Sequence, residues 1–590
     1  MMKQTSAIRI TGYTGLILTL SYLFWFLQTV DISLIYYWQQ TVPIPFSESL
    51  NYPGALSDLL GERWLELLAL PFMGSVSVAL LVVFVFISLY IIFRRIKVNP
   101  FYFTLLLAAL IPFILLFAYY RLPAGLIMSL NAGFLLAAIH KIYSPRNLLA
   151  RSVYIFISGI IVYLVAGTVG LLVLLQVIII QVVLSKKYLE LISVLPMLII
   201  PVLYLPFNLS FTVKYAYLGS FLISKYYEIP LILYFSLFTP LLLLLVFKGL
   251  NYILSPFALK RTFLLSGTGI IVVIIVFIFS SMTSINKQDR IYFKVLQASS
   301  KKDWEEVIRL TSEQLYINGL IQVEINRALY QTGQLLDKLF LYPQQFGEKG
   351  IFLDDYTSSF GAIHMSEFYY DLGFANEARH WATEAQVSFM RHPIVLKHLV
   401  MTYIAIGINE AALKYLHVLS GSRLYEEWCN DVHEMIENNT ACDDLAIQSF
   451  IVNNPETDFF AQTKNPTQKL RTFYSSNLNN NMAFEFLVAS YLLQHKVGNV
   501  MNQLPGFRRF GYEKLPRVVE EAMLIYLART RADNPPLAGY SISQSTIEEF
   551  QDFSRLVAST EDRAERKNKA AKYRNTYWYY VFFTSPYASK

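Results

Sequence analysis

Long apolar runs dominate the sequence before residue 286, and charged, helix-forming sequence replaces them after it. A membrane-spanning helix needs about 20 mostly apolar residues, and nine segments of the first half approach that length. These predicted spans are residues 12–34, 71–93, 101–119, 122–140, 152–166, 168–184, 188–206, 229–247 and 262–281. The fifth and sixth are short and meet at Ala166-Gly167-Thr168, so one tight hairpin is an alternative to two spans. The first half is therefore predicted to be a polytopic helical membrane domain.

Charge and cysteine content limit the classes of partner. The chain has a formal net charge of +7, and much of the excess lies in short loops beside apolar runs. Such charges set membrane topology, so we expect membrane lipid as a partner and no nucleic acid. The two cysteines, Cys429 and Cys442, are too few for a disulfide-rich scaffold or a Cys-rich zinc site. They form either one disulfide or two separate buried thiols.

Basic residues are distributed unequally between the loops that alternate along the predicted spans. One set of loops holds Lys3, Arg9, Arg94, Arg95, Lys97, Lys141, Arg146, Arg151, Lys186, Lys187, Lys248, Lys260 and Arg261. The other set holds Arg63, Arg121, Lys214 and Lys225. Because basic loops stay in the cytoplasm, the N-terminus is predicted to be cytoplasmic. The loops 35–70 and 207–228, and after nine crossings the whole C-terminal half, are then predicted to lie outside.

The second half contains an internal repeat whose spacing is the tetratricopeptide period of about 34 residues. SEFYYDLGFANEARHWATEA is followed by LVMTYIAIGINEAALKYLHVL, and this alignment pairs Tyr369 with Tyr403 and Gly373 with Gly407. Looser helical units flank this pair, so we expect a short tetratricopeptide-like α-solenoid. The predicted domains are the membrane domain (1–285), the helical-repeat domain (286–531), and a linker, basic helix and aromatic tail (532–590). The tail is predicted to dock on its own domain or at the membrane interface.

Five motifs together resemble a known group of sequences. They are Tyr-Pro-Gly-Ala-Leu at 52–56, ALYQTGQLLDKLFLYPQQ at 328–345, GFANEARHWATEA at 373–385, LPRVVEEAMLIY at 515–526 and NTYWYYVFF at 575–583. The chain resembles an uncharacterised family of multi-pass membrane proteins with a tetratricopeptide-like tail from Bacteroidetes-type bacteria. The resemblance spans nearly the whole chain and implies a bacterial membrane protein. With the topology expected from the charge pattern, this is an inner-membrane protein with a periplasmic C-terminal domain. That family provides no catalytic residue to transfer.

The order of the elements is also similar to that of C-type membrane glycosyltransferases. These have a cytoplasmic N-terminus, a long outer first loop that carries an acid, and a second outer loop after helix seven. The resemblance implies a lipid-linked sugar donor as substrate. The first loop of this chain, which includes FSESLNYPGALSDLLGERWLEL at 46–67, lacks the Asp-x-Asp or Asp-Glu pair of that fold.

Three acids are candidate catalytic residues. Asp31 closes the first predicted span, and an acid at membrane depth is costly enough to suggest a function; the alternative is that it lies at the outer interface. Asp58 and Glu62 are one helical turn apart and share a face. A carboxylate there could activate an acceptor hydroxyl or hold a divalent cation. Alternatively, Asp58 stabilises the start of a helix predicted over 57–69, and Glu62 lies on the wet face of an interfacial helix.

Four outer residues are candidates for substrate binding. Arg121, Lys214 and Lys225 depart from the charge rule, and a lipid diphosphate requires cationic partners at that interface. Tyr215 could stack on a sugar. The alternative for all four is ordinary anchoring among lipid headgroups.

The sequence leaves two functional hypotheses. The first is a glycosyltransferase that takes a sugar from a lipid carrier in cell-envelope glycan assembly. The second is a non-enzymatic membrane scaffold that binds a partner protein in the groove of the helical repeats.

Overall fold

The computed structural model describes residues 17–45, 51–94, 102–145, 147–186, 188–207, 212–222, 230–254, 271, 274–279, 281–282, 286–312, 317–353, 358–456, 459, 465–530 and 539–587. The regular structure in these residues is helical and includes no strand, as the all-α prediction requires. The chain divides into two compact units, Met1–Arg290 and Ile291–Lys590.

The first unit is built mainly of apolar helices. In its described part the α-helices are α1 (Ile17–Val30), α2 (Ser33–Gln39), α3 (Ala55–Leu68), α4 (Pro71–Phe93), α5 (Tyr102–Ala108), α6 (Ile111–Leu115), α7 (Ala124–Tyr143), α8 (Leu148–Ser185), α9 (Leu195–Tyr204), α10 (Val213–Leu222) and α11 (Leu231–Leu254). Helix α3 begins two residues before the predicted helix 57–69, because Gly54 takes a left-handed conformation (φ 91°) that starts the helix early.

Fewer helices are long and apolar enough to cross a membrane than the nine spans predicted. Among the described residues there are four, namely Phe72–Phe93, Ala124–Tyr143, Leu148–Ser185 and Leu231–Gly249. Helices α1 and α2, which meet at a bend of 50°, make a fifth if they form one span. Two predicted spans are broken, since 101–119 is interrupted after Ala108 and 188–206 forms a 3-10 turn before α9. The predicted span 262–281 lies largely outside the described residues.

Helix α8 reverses direction at Gly167, whose backbone is not helical (φ 57°, ψ −152°). Residues 12 apart in a straight helix are about 18 Å apart. A Cβ placed on Gly159, however, would lie 4.0 Å from Cδ2 of Leu171. The two arms of α8 therefore lie side by side, as in the tight hairpin that the sequence left as an alternative.

The second unit consists of shorter helices. The α-helices in its described part are α12 (Lys287–Ser300, which begins in the first unit), α13 (Trp304–Thr311), α14 (Gly319–Gln331), α15 (Leu335–Lys338), α16 (Ser359–Asp371), α17 (Ala375–Phe389), α18 (Pro393–Ala405), α19 (Asn409–Leu419), α20 (Glu426–Glu437), α21 (Leu445–Asn453), α22 (Pro466–Ser476), α23 (Asn481–Leu493), α24 (Val497–Met501), α25 (Leu504–Arg509), α26 (Arg517–Thr530), α27 (Gln544–Ser559), α28 (Arg563–Lys569) and α29 (Tyr577–Tyr579).

The internal repeat corresponds to two successive helix pairs. Helices α16 and α17 pack together, α18 and α19 pack together, and α17 packs on α18. The first helix of each pair is followed by a glycine in the left-handed region, Gly373 (φ 84°) and Gly407 (φ 77°). Glycine adopts this conformation without steric cost and so ends the helix. The sequence repeat therefore has a structural counterpart in the helix boundaries.

A cluster of charged side chains is buried between α14, α16 and α18. Arg327 lies at its centre, with its guanidinium 2.9 Å from the carboxylates of both Glu324 and Asp371 and 3.3 Å from that of Glu367. His398 Nε2 approaches Glu367 at 3.1 Å. Buried charges are tolerated only when they are paired in this way. Removal of any one of these side chains would therefore take a partner away from another buried charge.

The aromatic tail docks within the second unit. Tyr577 and Trp578 are fully buried. The Tyr577 backbone N–H donates to Glu521 Oε2 at 2.6 Å, and the Tyr580 hydroxyl donates to the Leu493 carbonyl at 3.1 Å. Of the two predicted locations for the tail, these contacts place it on its own domain.

Elsewhere in the second unit, Cys429 is a buried free thiol. It therefore does not form the disulfide that was one of the two alternatives for the cysteines.

Candidate functional site

Residues 54–57, at the start of α3, lie against the hairpin of α8. The last carbonyls of a helix have no partner within it, and Gly167 ends the first arm. The Gly54 N–H donates to the Leu164 carbonyl at 3.0 Å, and the Ser57 hydroxyl donates to the Val165 carbonyl at 2.7 Å. Residues 54–57 thus donate hydrogen bonds to the carbonyls that the helix break leaves without partners. These hydrogen bonds fix the position of the start of α3.

Glycines allow α3 to lie against the amino terminus of α7. A Cβ on Gly61 would lie 2.6 Å from the backbone N of Gly125, and a Cβ on Gly125 would lie 1.9 Å from Oδ1 of Asp58. The Asp58 carboxylate thus occupies the space that a side chain at position 125 would fill. A helix amino terminus carries partial positive charge and favours an anion.

The Asp58 carboxylate is partly buried and has one phenolic partner. The Tyr52 hydroxyl donates to Asp58 Oδ2 at 2.7 Å. Burial raises the pKa of Asp58 above its ordinary value, and the Tyr52 hydrogen bond opposes this increase. Burial, followed by the nearby Asp58 charge, raises the pKa of Tyr52, so that its hydroxyl remains protonated. A carboxylate with a raised pKa is better suited to accept a proton than an ordinary exposed acid.

Asp58 lines a cavity of about 60 Å³ together with several tyrosine side chains. Its lining includes Tyr52, Asp58, Ser129, Tyr163, Tyr204 and Tyr215. Two of the tyrosines are fixed by hydrogen bonds: Tyr163 donates to the Ala216 carbonyl at 2.8 Å, and Tyr204 donates to the Asn51 carbonyl at 2.9 Å. The cavity is smaller than the roughly 300 Å³ at which ligand pockets begin. It accommodates water or a small group, and a larger ligand requires it to open.

The other two candidate acids lie outside the lining of this cavity. Asp31 has a left-handed backbone (φ 61°) at the bend between α1 and α2, and its Oδ1 accepts a hydrogen bond from Ser33. Glu62 accepts a hydrogen bond from the Ile44 backbone N–H at 3.3 Å. Glu62 therefore anchors the preceding loop, although it shares a helix with Asp58.

The four candidate binding residues are also separated. Tyr215 lines the cavity, and Lys214 precedes it on α10 with an exposed side chain. The Arg121 guanidinium lies 5.2 Å from the centroid of the Trp38 ring, which is a cation–π contact. Lys225 is outside the described residues. Of the seven candidate catalytic and binding residues, the structure thus places two, Asp58 and Tyr215, at the same cavity.

Several residues that shape the site were not identified from the sequence. Gln39 Nε2 donates to the carbonyls of Tyr120 and Leu122, and its Oε1 accepts from the Ala124 N–H, so it fixes the start of α7. Tyr163 and Tyr204 occur in apolar runs that indicated only membrane helices. A tyrosine within such a run is a weak signal of a polar pocket.

The donor groups of the site do not suggest a metal centre. No group of three or more His, Cys, Asp or Glu side chains within metal-binding reach occurs in the described parts of the chain. The described hydrogen-bond partner of the Asp58 carboxylate is the Tyr52 hydroxyl, and Glu62 binds the Ile44 N–H instead.

Comparisons with known proteins identify one family. A family profile described as "Family of unknown function (DUF6057)" matches residues 6–584, nearly the whole chain. No curated protein and no solved structure matches the sequence.

Proposed function

We propose that this chain, which belongs to the DUF6057 family, is an integral membrane glycosyltransferase that uses a lipid-linked sugar in the assembly of cell-envelope glycans. One observation carries the proposal. The Asp58 carboxylate, partly buried and at the amino terminus of α7, faces a cavity lined by tyrosine rings and hydroxyls. Aromatic faces and hydroxyl groups are suited to contact the apolar faces and the hydroxyls of a sugar.

In this proposal Asp58 is the general base. It accepts the proton of an acceptor hydroxyl while that oxygen forms a bond to the anomeric carbon of the donor. The bond from this carbon to the lipid phosphate breaks, and the phosphate leaves with the electron pair. Positioned bases of this kind contribute roughly 10²–10⁴-fold to a rate.

The residues of α10 are assigned to the donor. Tyr215 lines the cavity, and the exposed Lys214 beside it offers a positive charge to the leaving phosphate. Because the cavity holds about 60 Å³, we propose that α10 moves outward to admit the sugar. Arg121, on the Trp38 ring, and Lys225 are assigned to the lipid headgroup surface rather than to the reacting atoms.

The apolar surface of the candidate spans supports a membrane location for the proposed enzyme, and with it the substrate class. The candidate spans expose large apolar side chains, among them Phe72 and Leu149, which a lipid environment would cover. We propose a bacterial inner membrane, with the N-terminus in the cytoplasm and the second unit in the periplasm. A reporter enzyme that is active only outside the cytoplasm, fused after residue 590, is expected to be active. A reporter active only in the cytoplasm is expected to be silent, and the reverse pattern would contradict this topology.

The decisive experiment for the activity is a comparison of envelope glycans from wild-type and deletion strains. The proposal predicts that one glycan lacks a sugar, or is absent, in the deletion strain, and that its lipid-linked donor accumulates. Unchanged glycans and unchanged donor levels would overturn it.

A non-enzymatic scaffold is the second candidate function. It is supported by the two helix pairs of the internal repeat, and by Val387 and Met390, which are 76% and 67% exposed at the end of α17. Apolar side chains at a helix end are a means of holding a partner protein. A Val387→Asp, Met390→Asp double variant would then lose function while Asp58→Asn retained it. The glycosyltransferase proposal predicts the opposite result.

A further inference from the structure

A second cavity lies in the second unit, between α26, α27 and the docked tail. Its volume is about 520 Å³, which is within the range of small-molecule sites, roughly 300–1,000 Å³. Most of its lining is apolar, including Ile525, Phe550, Phe553, Val557 and Phe582. Such a lining is suited to a hydrocarbon chain or ring.

Two basic side chains lie in the same lining. They are Arg529 on α26 and His495, which follows α23. Arg529 is exposed, and it forms no ion pair with any residue in the described part of the chain. On α26 and α27, the carboxylates of Glu521 and Glu549 are both paired with Arg517. Arg529 therefore offers an uncompensated positive charge at the edge of an apolar space.

His495 adds an unsatisfied polar atom. Its Nε2 is buried and has no hydrogen-bond partner among the described residues, and a buried polar group without a partner costs free energy. Its backbone is left-handed (φ 60°), which is uncommon for residues other than glycine. The ring is held between Tyr580 and Tyr587, with centroids 5.7 Å and 6.2 Å away. The ring therefore forms part of the cavity wall, while the residue as a whole stays partly exposed to solvent.

Burial, and then the charge of Arg529, lowers the pKa of His495 to about 4. The imidazole is therefore neutral near pH 7 and carries one N–H, which a ligand oxygen can accept. A site with one positive charge, one neutral donor and apolar walls is complementary to a singly charged anion attached to an apolar body.

We propose that this cavity binds an amphiphilic carboxylate, with its carboxylate on Arg529 and His495 and its hydrocarbon chain between α26, α27 and the tail. The site is independent of the Asp58 cavity and of the proposed transferase activity. The charge arrangement distinguishes this ligand from an uncharged lipid, which would leave Arg529 and His495 without a partner.

The test uses the full chain, purified and transferred to amphipol so that detergent does not compete. The probe is 11-(dansylamino)undecanoate, with its uncharged primary amide as the matched ligand. We expect saturable binding of the carboxylate that is at least 10-fold tighter than binding of the amide. Arg529→Gln is expected to weaken carboxylate binding about 10-fold and to leave amide binding unchanged.

Two further variants keep the test decisive. Ala558→Trp fills the cavity from an exposed position in its lining and is expected to abolish binding of both ligands without unfolding the protein. Arg555→Gln removes an exposed arginine of α27 that is paired with Asp552 and is expected to bind like the wild type. Equal binding of the two ligands, or equal binding by the wild type and Ala558→Trp, would overturn the proposal.

Discussion

The carboxylate of Asp58 and the α-carbon of Gly125 are in such close contact that a Cβ at position 125 would lie 1.9 Å from Asp58 Oδ1. No real Cβ is found this close to an oxygen. Asp58 therefore reaches the amino terminus of α7 only because residue 125 is a glycine. The contact joins residues 67 positions apart and determines where the acid points.

Gly125→Ala is therefore expected to displace the Asp58 carboxylate from the cavity and to reduce activity to the level of an Asp58 variant. Gly249→Ala is the control, because nothing lies within 4 Å of the Cβ it adds. Complementation of a deletion strain measures both effects. Full complementation by Gly125→Ala would show that the position of Asp58 is not needed.

Arg327→Met is expected to destabilise the second unit strongly. It leaves the carboxylates of Glu324, Glu367 and Asp371 buried without their cation, and loss of one partner from a buried pair typically costs about 3–5 kcal/mol. Arg309→Met removes an exposed arginine paired with Glu306 and is expected to change stability little. Guanidinium unfolding of the purified chain, followed by tryptophan fluorescence, compares the two. Equal midpoints for both variants would contradict this account of the cluster.

Glu521, which lies under the docked tail, is expected to contribute a stability that falls as pH rises from about 4.5 to 7. Burial raises the pKa of Glu521 to about 7, against the hydrogen bonds from the Tyr577 N–H and from Arg517. In the unfolded chain a glutamate titrates near 4.3. Between these values the folded state binds more protons than the unfolded state, so raising the pH favours unfolding, by about 3 kcal/mol over the interval.

Melting temperatures measured from pH 5 to 8 test this dependence. Glu521→Gln is expected to remove this contribution, so that its melting temperature changes less unfavourably with rising pH than that of the wild type. Glu548→Gln, which changes an exposed glutamate on α27, is expected to follow the wild type. Identical slopes for the wild type and Glu521→Gln would assign the pH dependence to other groups.

The two repeat glycines provide a matched pair for backbone strain. Gly373→Ala and Gly407→Ala both place a Cβ at positive φ, which costs about 1–2 kcal/mol. The Cβ at 373 would also lie 2.5 Å from the backbone carbon of Asn453, whereas nothing lies within 4 Å at 407. The first variant is expected to lower the unfolding midpoint clearly more than the second. The reverse order would contradict the contact between α16 and the end of α21.

The sequence predicted the all-helical character of the chain better than it predicted the number of spans. Amphipathic spacing placed α3 within two residues, and the period of the internal repeat matched the boundaries of α16–α19. The count of nine spans differs from the four or five candidates because an apolar run does not reveal where it breaks. Residues 101–119 contain Pro112, and residues 188–206 contain Pro196 and Pro201, each of which removes a backbone donor.

The candidate site was predicted in part. Asp58 is a candidate in the sequence because it lies one helical turn from Glu62, on the same face of a predicted helix, but its surroundings come from distant segments. Gly125, Tyr163 and Tyr204 are 67 to 146 positions further along the chain, and no local pattern links them to Asp58. Such contacts between distant segments form only when the chain folds, so they cannot be identified from a single sequence.

The most direct test of the proposed activity compares Asp58→Asn with Glu62→Gln in the deletion strain. Both acids lie on α3, but Asp58 lines the cavity while Glu62 binds the backbone of Ile44. The account predicts that Glu62→Gln restores the missing glycan and that Asp58→Asn, present at the same level in the membrane, does not. Restoration of the glycan by Asp58→Asn would contradict the assignment of Asp58 as the base.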